Sequence, residues 1–145
     1  MLFRSCDHAA ASGVTLMVKP HGGTNSTGAQ CRKLVERVNH RAFRLCYDPG
    51  NILYYSDGRL DPVDDAATVD GLVVAMCVKD FLPPKVVDVT PGDGRVDFTR
   101  VLARLRQGGF TSGPLIVECL AKGDRAFVVG EARRARAFLG KLTAG

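Results

Sequence analysis

The sequence has few of the features that mark a membrane, secreted or nucleic-acid-binding protein. No apolar run approaches the roughly 18 residues that a membrane span needs, so no membrane partner is expected. The N-terminal stretch MLFRSCDHAAASG carries charges where a signal peptide requires an apolar core, and it does not read as a leader. Five cysteines (Cys6, Cys31, Cys46, Cys77, Cys119) include no CxxC pair and are odd in number. That sets aside a disulfide framework and points to a reduced, cytoplasmic protein. There is no dense basic run either. The net charge is +5, and its lysines and arginines are spread over helix-like segments such as RVLARLRQGG and EARRARAFLGKL. They read as solvated helix faces, and no nucleic-acid partner is expected.

What is present suffices for one folded domain, since 46% of the 145 residues are hydrophobic. The chain reads as alternating helices and strands. Residues 2–12 form a helix stopped by Gly13, followed by the β-branched strand VTLMVK (14–19). Thr27 with Gln30 three places on is a capping-box pattern, and Leu34, Val35 and Val38 continue at helical spacing. AFRLCY (42–47) is the second strand, a short helix lies within 61–71, and LVVAMCV (72–78) is the third strand. Asp97 caps the helix FTRVLARLRQ, PLIVEC (114–119) is the fourth strand, and DRAFVVGEARRARAFLGKL the last helix.

Each strand is continuously apolar, as strands covered on both faces are. Strand–helix alternation with short loops implies right-handed crossovers and a parallel α/β sheet. A doubly wound sheet and half of an eight-unit barrel both satisfy this pattern, and periodicity does not choose between them.

In either architecture ligands gather at the C-terminal ends of the strands. Those ends carry Lys19 and His21, then Asp48 and Asn51 in CYDPGN, then Cys77, Lys79 and Asp80 in MCVKD, and finally Glu118 in LIVECL. Period-two alternation groups Thr15, Met17 and Lys19 on one face, and Arg44, Cys46 and Asp48 on one face of the next strand. Val73, Ala75 and Cys77 share a face, as do Ile116 and Glu118. If these faces point inward, Lys19 meets two carboxylates, which would offset the cost of a cation at the end of the apolar strand LMVKPHGG. Simpler readings exist for each residue. Asp48 before Pro-Gly suits a turn, Cys77 a small core position, and Lys79 and Asp80 pair with one another at the rim. PGDGR (91–95) offers backbone N–H groups to a phosphate, with Arg95 nearby, but lacks GxGxxG spacing and reads more simply as a plain loop.

Taken together, LMVKPHGG, YDPGNILYY, VKDF and PGDGRVDFTRVLARLRQGGFTSGPLIVE resemble the sugar phosphate isomerase/epimerase family, the xylose-isomerase-like TIM barrels. The resemblance covers nearly the whole chain. It implies a single domain over 1–145 equal to the fifth to eighth βα units, a parallel half-barrel of four strands with outer helices. It also implies proton transfer next to the carbonyl of a sugar, sugar phosphate or polyol. Family members usually hold one divalent metal, such as zinc, manganese or magnesium, through glutamate, aspartate, histidine and glutamate. Those positions fall on Lys19, Asp48, Cys77 and Glu118, so two of the four depart from the pattern. A protonated lysine has no lone pair to give. The expectation is that Asp48 and Glu118 act as acid/base groups, Lys19 as an electrostatic stabiliser, and His21, Asn51 and Lys79 as substrate contacts. A hybrid metal site of His21, Asp48, Cys77 and Glu118 is the alternative.

The same barrel family contains a DNA-repair endonuclease with a histidine-rich zinc site. Three histidines, with only His21 near the site, argue against that activity. Half a barrel also implies either a missing N-terminal half or a second copy that closes the barrel. A non-catalytic half-barrel that binds a sugar or a protein partner is the rival reading.

Overall fold

A computed structural model describes residues 2–144. In chain order it contains α1 (Leu2–Ala11), β1 (Leu16–Val18), α2 (Gly28–Val38), β2 (Phe43–Tyr47), α3 (Pro49–Tyr55) and α4 (Pro62–Ala66). There follow β3 (Val73–Val78), α5 (Phe98–Gln107), β4 (Leu115–Val117) and α6 (Arg125–Thr143). The strands form one sheet in the order β1-β2-β3-β4, and every pair is parallel. Each strand therefore neighbours the next one in sequence, as in the wall of a β/α barrel. A doubly wound sheet would reverse its strand order at a switch point, and that alternative is set aside.

Local signals explain most of the elements. Thr27 and Gln30 form both halves of a capping box at α2, and Asp97 and Asp124 accept the N–H groups of Arg100 and Phe127 at the starts of α5 and α6. Helix α3 is the element that the sequence reading lacks. Its DPGN start resembles a loop, yet Asp48 caps the helix through the Asn51 N–H and Pro49 takes the first position, where its missing N–H costs nothing.

The two faces of the sheet differ. Leu45, Tyr47, Met76 and Val78 point to the helices and join Val101, Leu102 and Leu105 of α5 in the main core. The opposite face carries the small buried cluster Cys46, Ala75 and Cys77. Val73 does not share that face as its spacing predicts. The register steps from Leu45↔Val73 to Cys46↔Ala75, which skips one residue on β3 and leaves Val73 packed on the helix-side core.

β1 and β4 are the sheet edges, each paired on one side only. On the face opposite the helices, Met17 and Ile116 are 43% and 40% exposed. Helix α6 is held by Phe138 edge-on to Phe98 at 5.5 Å and by Arg134 to Asp93. Among the described residues, no helix is long and apolar enough to cross a membrane.

Candidate functional site

All four strand ends converge on one charged group. Lys19 Nζ lies 2.5 Å from Glu118 Oε2 and 3.3 Å from Asp48 Oδ2. Lys79 Nζ lies 3.0 Å from the other oxygen of Glu118, Oε1. Cys77 Sγ donates to Glu118 Oε2 at 3.4 Å and lies 3.7 Å from Cys46 Sγ. Asp48 is fully buried, Lys79 nearly so, and Lys19 and Glu118 are half-buried. Two ammonium groups thus face two carboxylates, and the formal charge of the quartet is zero.

The surrounding loops fix these side chains. Asn25 Nδ2 donates to the Lys19 carbonyl at 2.8 Å, and Asn51 Nδ2 donates to the Pro20 carbonyl at 2.8 Å. Asn51 is 2% exposed, so its side chain holds the β1 loop from below. Gly50 lets the third strand pass: a Cβ there would lie 2.5 Å from the Lys79 carbonyl oxygen and 3.0 Å from its Cγ. His21 stands apart at the rim. It is exposed, with Nδ1 3.3 Å from the Tyr55 hydroxyl, and does not reach the donor group of Asp48, Cys77 and Glu118.

Electrostatics follow from this packing. For Glu118, burial works against ionisation, but hydrogen bonds from Lys19 and Lys79 outweigh it and lower its pKa to about 2. Burial likewise opposes the Lys19 and Lys79 ammoniums, and the hydrogen bonds to Glu118 with the charge of Asp48 hold both above the usual lysine value. Asp48 moves the other way. Its burial raises the pKa despite the Asn51 N–H and the nearby lysines. The Cys46 sulfur and burial push the Cys77 thiol up.

Asp80 is not the partner of Lys79 that adjacency suggests. Its carboxylate is buried and accepts the N–H groups of Phe81 and Val96 on Oδ1, and of Gly92 and Gly94 on Oδ2, all at 2.9 to 3.1 Å. The anion held by the PGDGR loop is therefore the protein's own, and those amides are not free for a phosphate. Sequence reasoning also missed Asn25 and Gly50. Asn25 gave no signal, whereas a glycine directly after Asp-Pro in a helix marks a close approach of another backbone.

The divalent metal implied by the resemblance can be tested on these residues. One donor atom each from Asp48, Cys77 and Glu118 lie within 4.8 Å of one another. Oδ2 of Asp48 is buried without a hydrogen bond, because the Lys19 contact at 3.3 Å has ion-pair distance but not hydrogen-bond alignment. The donors are gathered, but the position among them is taken by an ammonium. A divalent ion enters only by displacing the Lys19 ammonium from both carboxylates, with the Lys79 ammonium still paired to Glu118. The residues present do not fit a divalent metal.

A consecutive parallel sheet with its polar residues at the carboxyl ends defines a β/α-barrel segment. The chain belongs to the xylose isomerase-like TIM barrel family, whose model matches residues 1–141. No curated protein matches the sequence. Among solved structures, a xylose isomerase domain protein from Planctomyces limnophilus is 21% identical with a TM-score of 0.75, over 97% of this chain and 49% of that one. A D-psicose 3-epimerase is 18% identical with a TM-score of 0.78, over 99% of this chain and 54% of that one. A 3-keto-D-glucoside 4-epimerase from E. coli is 16% identical with a TM-score of 0.70, over 99% of this chain and 51% of that one. At these identities the likeness is one of fold. The chain spans about half the length of the structures it matches.

Proposed function

We propose that this chain supplies the second half of a sugar isomerase or epimerase site, acting by proton transfer beside the carbonyl of a sugar or sugar phosphate. The observation that carries the reading is the quartet of Lys19, Asp48, Lys79 and Glu118 at the strand ends. Glu118 takes the proton from the carbon next to the carbonyl, and the electron pair moves onto the carbonyl oxygen. The enediolate that forms is stabilised by Lys19 and Lys79. The proton goes back to the same carbon from Glu118, or from Asp48 once Lys19 has handed it an ammonium proton; return to the neighbouring carbon also moves the hydroxyl proton to the former carbonyl oxygen.

With its pKa at about 2, Glu118 between two ammoniums is a weak base in the free protein. A substrate oxygen that draws the ammoniums toward itself releases Glu118 and strengthens it as a base. His21 contacts the sugar at the rim, beside Tyr55, and Lys79 suits an anionic substituent. A further four-unit half, from a longer polypeptide or from a second copy, closes the barrel across the β1 and β4 edges and adds its own contacts. Five unbridged cysteines suit a reducing, cytoplasmic setting.

The test is deuterium wash-in from D2O into ketoses, D-psicose and D-fructose among them, and into their phosphates, followed by NMR. Asp48→Asn and Glu118→Gln are each expected to lower exchange by about 100-fold or more. Wild-type rates in either variant would overturn the assignment. The rival reading, a half-barrel that binds a sugar or a protein partner without turnover, draws on the low basicity of Glu118. It predicts a sugar-dependent rise in melting temperature, or capture of a partner, with no exchange.

A further inference from the structure

We infer that the ammonium of Lys19 stands where a divalent cation would sit, so that Asp48 and Glu118 form an ammonium site and this chain takes no metal there. The inference rests on the quartet being the functional site and is independent of whether the chain turns over a sugar.

Three observations carry it. First, Nζ of Lys19 contacts one oxygen from each carboxylate, and these carboxylates with Cys77 make up the three-donor group found among the described residues. Second, the lysine is built in. Asn25 clips its carbonyl and the buried Asn51 clips the next one, so the backbone that aims the side chain is fixed from two sides. Third, each remaining donor already has a partner that a metal would have to displace. Oε1 of Glu118 is paired with Lys79, and Cys77 directs its thiol proton to Oε2 of the same carboxylate. Two positive and two negative groups balance, whereas a divalent ion would add two positive charges beside two ammoniums. Thiolate ligation would in addition need the Cys77 proton removed.

This arrangement converts into a metal site by one substitution. Lys19→Glu exchanges the ammonium for a fourth donor and leaves Asp48, Cys77 and Glu118 in place. The chelator-stripped chain is dialysed against MnCl2 or ZnCl2, and bound metal is counted by elemental analysis. Site uptake is defined as the part that Glu118→Gln removes. The wild type is expected to show less than about 0.1 equivalent by that measure, and Lys19→Glu about one equivalent. One Glu118-dependent equivalent in the wild type would overturn the inference, and so would a Lys19→Glu variant that folds by circular dichroism but takes up no metal. Should that variant not fold, Lys19→Met, which removes the charge at similar length, is read in the same way. A folded Lys19→Met with no gain over wild type would also overturn it. The assay contains no sugar. Absent deuterium exchange would therefore count against the proposed isomerase alone, and metal uptake by the wild type against this inference alone.

Discussion

Gly50 packs against Lys79 with no room for a side chain: a Cβ on Gly50 would lie 2.5 Å from the Lys79 carbonyl oxygen and 3.0 Å from its Cγ. The glycine of DPGN thus sets how closely α3 approaches the end of β3, and through it where the Lys79 ammonium meets Glu118. Gly50→Ala pushes on backbone at the β3 end, so it cannot be absorbed by a rotamer change. We expect a destabilisation of about 1–3 kcal/mol, as for overpacked interiors, measured as a shift in the urea midpoint at unchanged slope. An unchanged midpoint would mean that the two elements separate freely.

The loop after β3 depends on Asp80 in a similar way. Four backbone N–H groups, from Phe81, Gly92, Gly94 and Val96, share its carboxylate. Asp80→Ala leaves them without an acceptor. Buried donors cost about 1–3 kcal/mol each, and water reaches part of this loop, so we expect a total loss of about 2–4 kcal/mol. Hydrogen exchange should accelerate at the amides of Gly92 and Gly94 in particular. Protection that persists there would show that the loop has another anchor.

These two residues also mark how far the sequence could be read. The four strands follow from continuous apolar runs, the caps at Thr27, Asp97 and Asp124 from capping patterns, and the meeting of Lys19 with Asp48 and Glu118 from period-two alternation, all of them local signals. Helix α3 is hidden in the sequence because Asp-Pro-Gly serves a turn and a helix start equally well. Adjacency offers Asp80 as the simple partner of Lys79, yet adjacent residues in an extended chain point to opposite sides. Asp80 turned toward its loop and Lys79 toward Glu118. The skipped residue on β3 moved Val73 to the helix side, and no single-strand pattern reveals a register step. Contacts across the sheet decided each of these points.

The pH dependence of stability follows from Glu118. Its folded pKa of about 2 lies below the ordinary 4.5, so on acidification the unfolded chain takes up this proton before the folded chain does. The contribution of Glu118 is therefore fully present above about pH 4.5 and is lost as the pH falls toward 2. Lys19 has the opposite sign. Its raised value keeps its contribution intact below the ordinary 10.5, to be lost as the pH rises through the higher folded value. Glu118 is partly exposed and screened by solvent, so the effect is modest. Melting curves of wild type and Glu118→Gln should differ most near neutral pH and converge in acid. A gap that stays constant down to about pH 3 would place the role of Glu118 outside its charge.

Asp48 does two separable things, and two substitutions divide them. Oδ1 caps α3 through the Asn51 N–H at 2.9 Å, while Oδ2 faces Lys19. Asparagine caps helices about as well as aspartate, so Asp48→Asn keeps the first role and removes the charge. Burial disfavours that charge, as the raised pKa of Asp48 reflects, so part of the lost attraction to Lys19 is recovered as relief from desolvation. The Asn variant should therefore stay within about 1 kcal/mol of wild type, and Asp48→Ala should fall about 1–2 kcal/mol below it through loss of the cap. Deuterium exchange into a ketose should be lost in both alike, because the Asn variant restores the helix start and not the carboxylate. Equal destabilisation by Asn and Ala would mean that the charge, and not the cap, is what Asp48 contributes to the fold. Exchange retained in the Asn variant alone would overturn the assignment of Asp48 as a proton carrier and leave it only the start of α3 to hold.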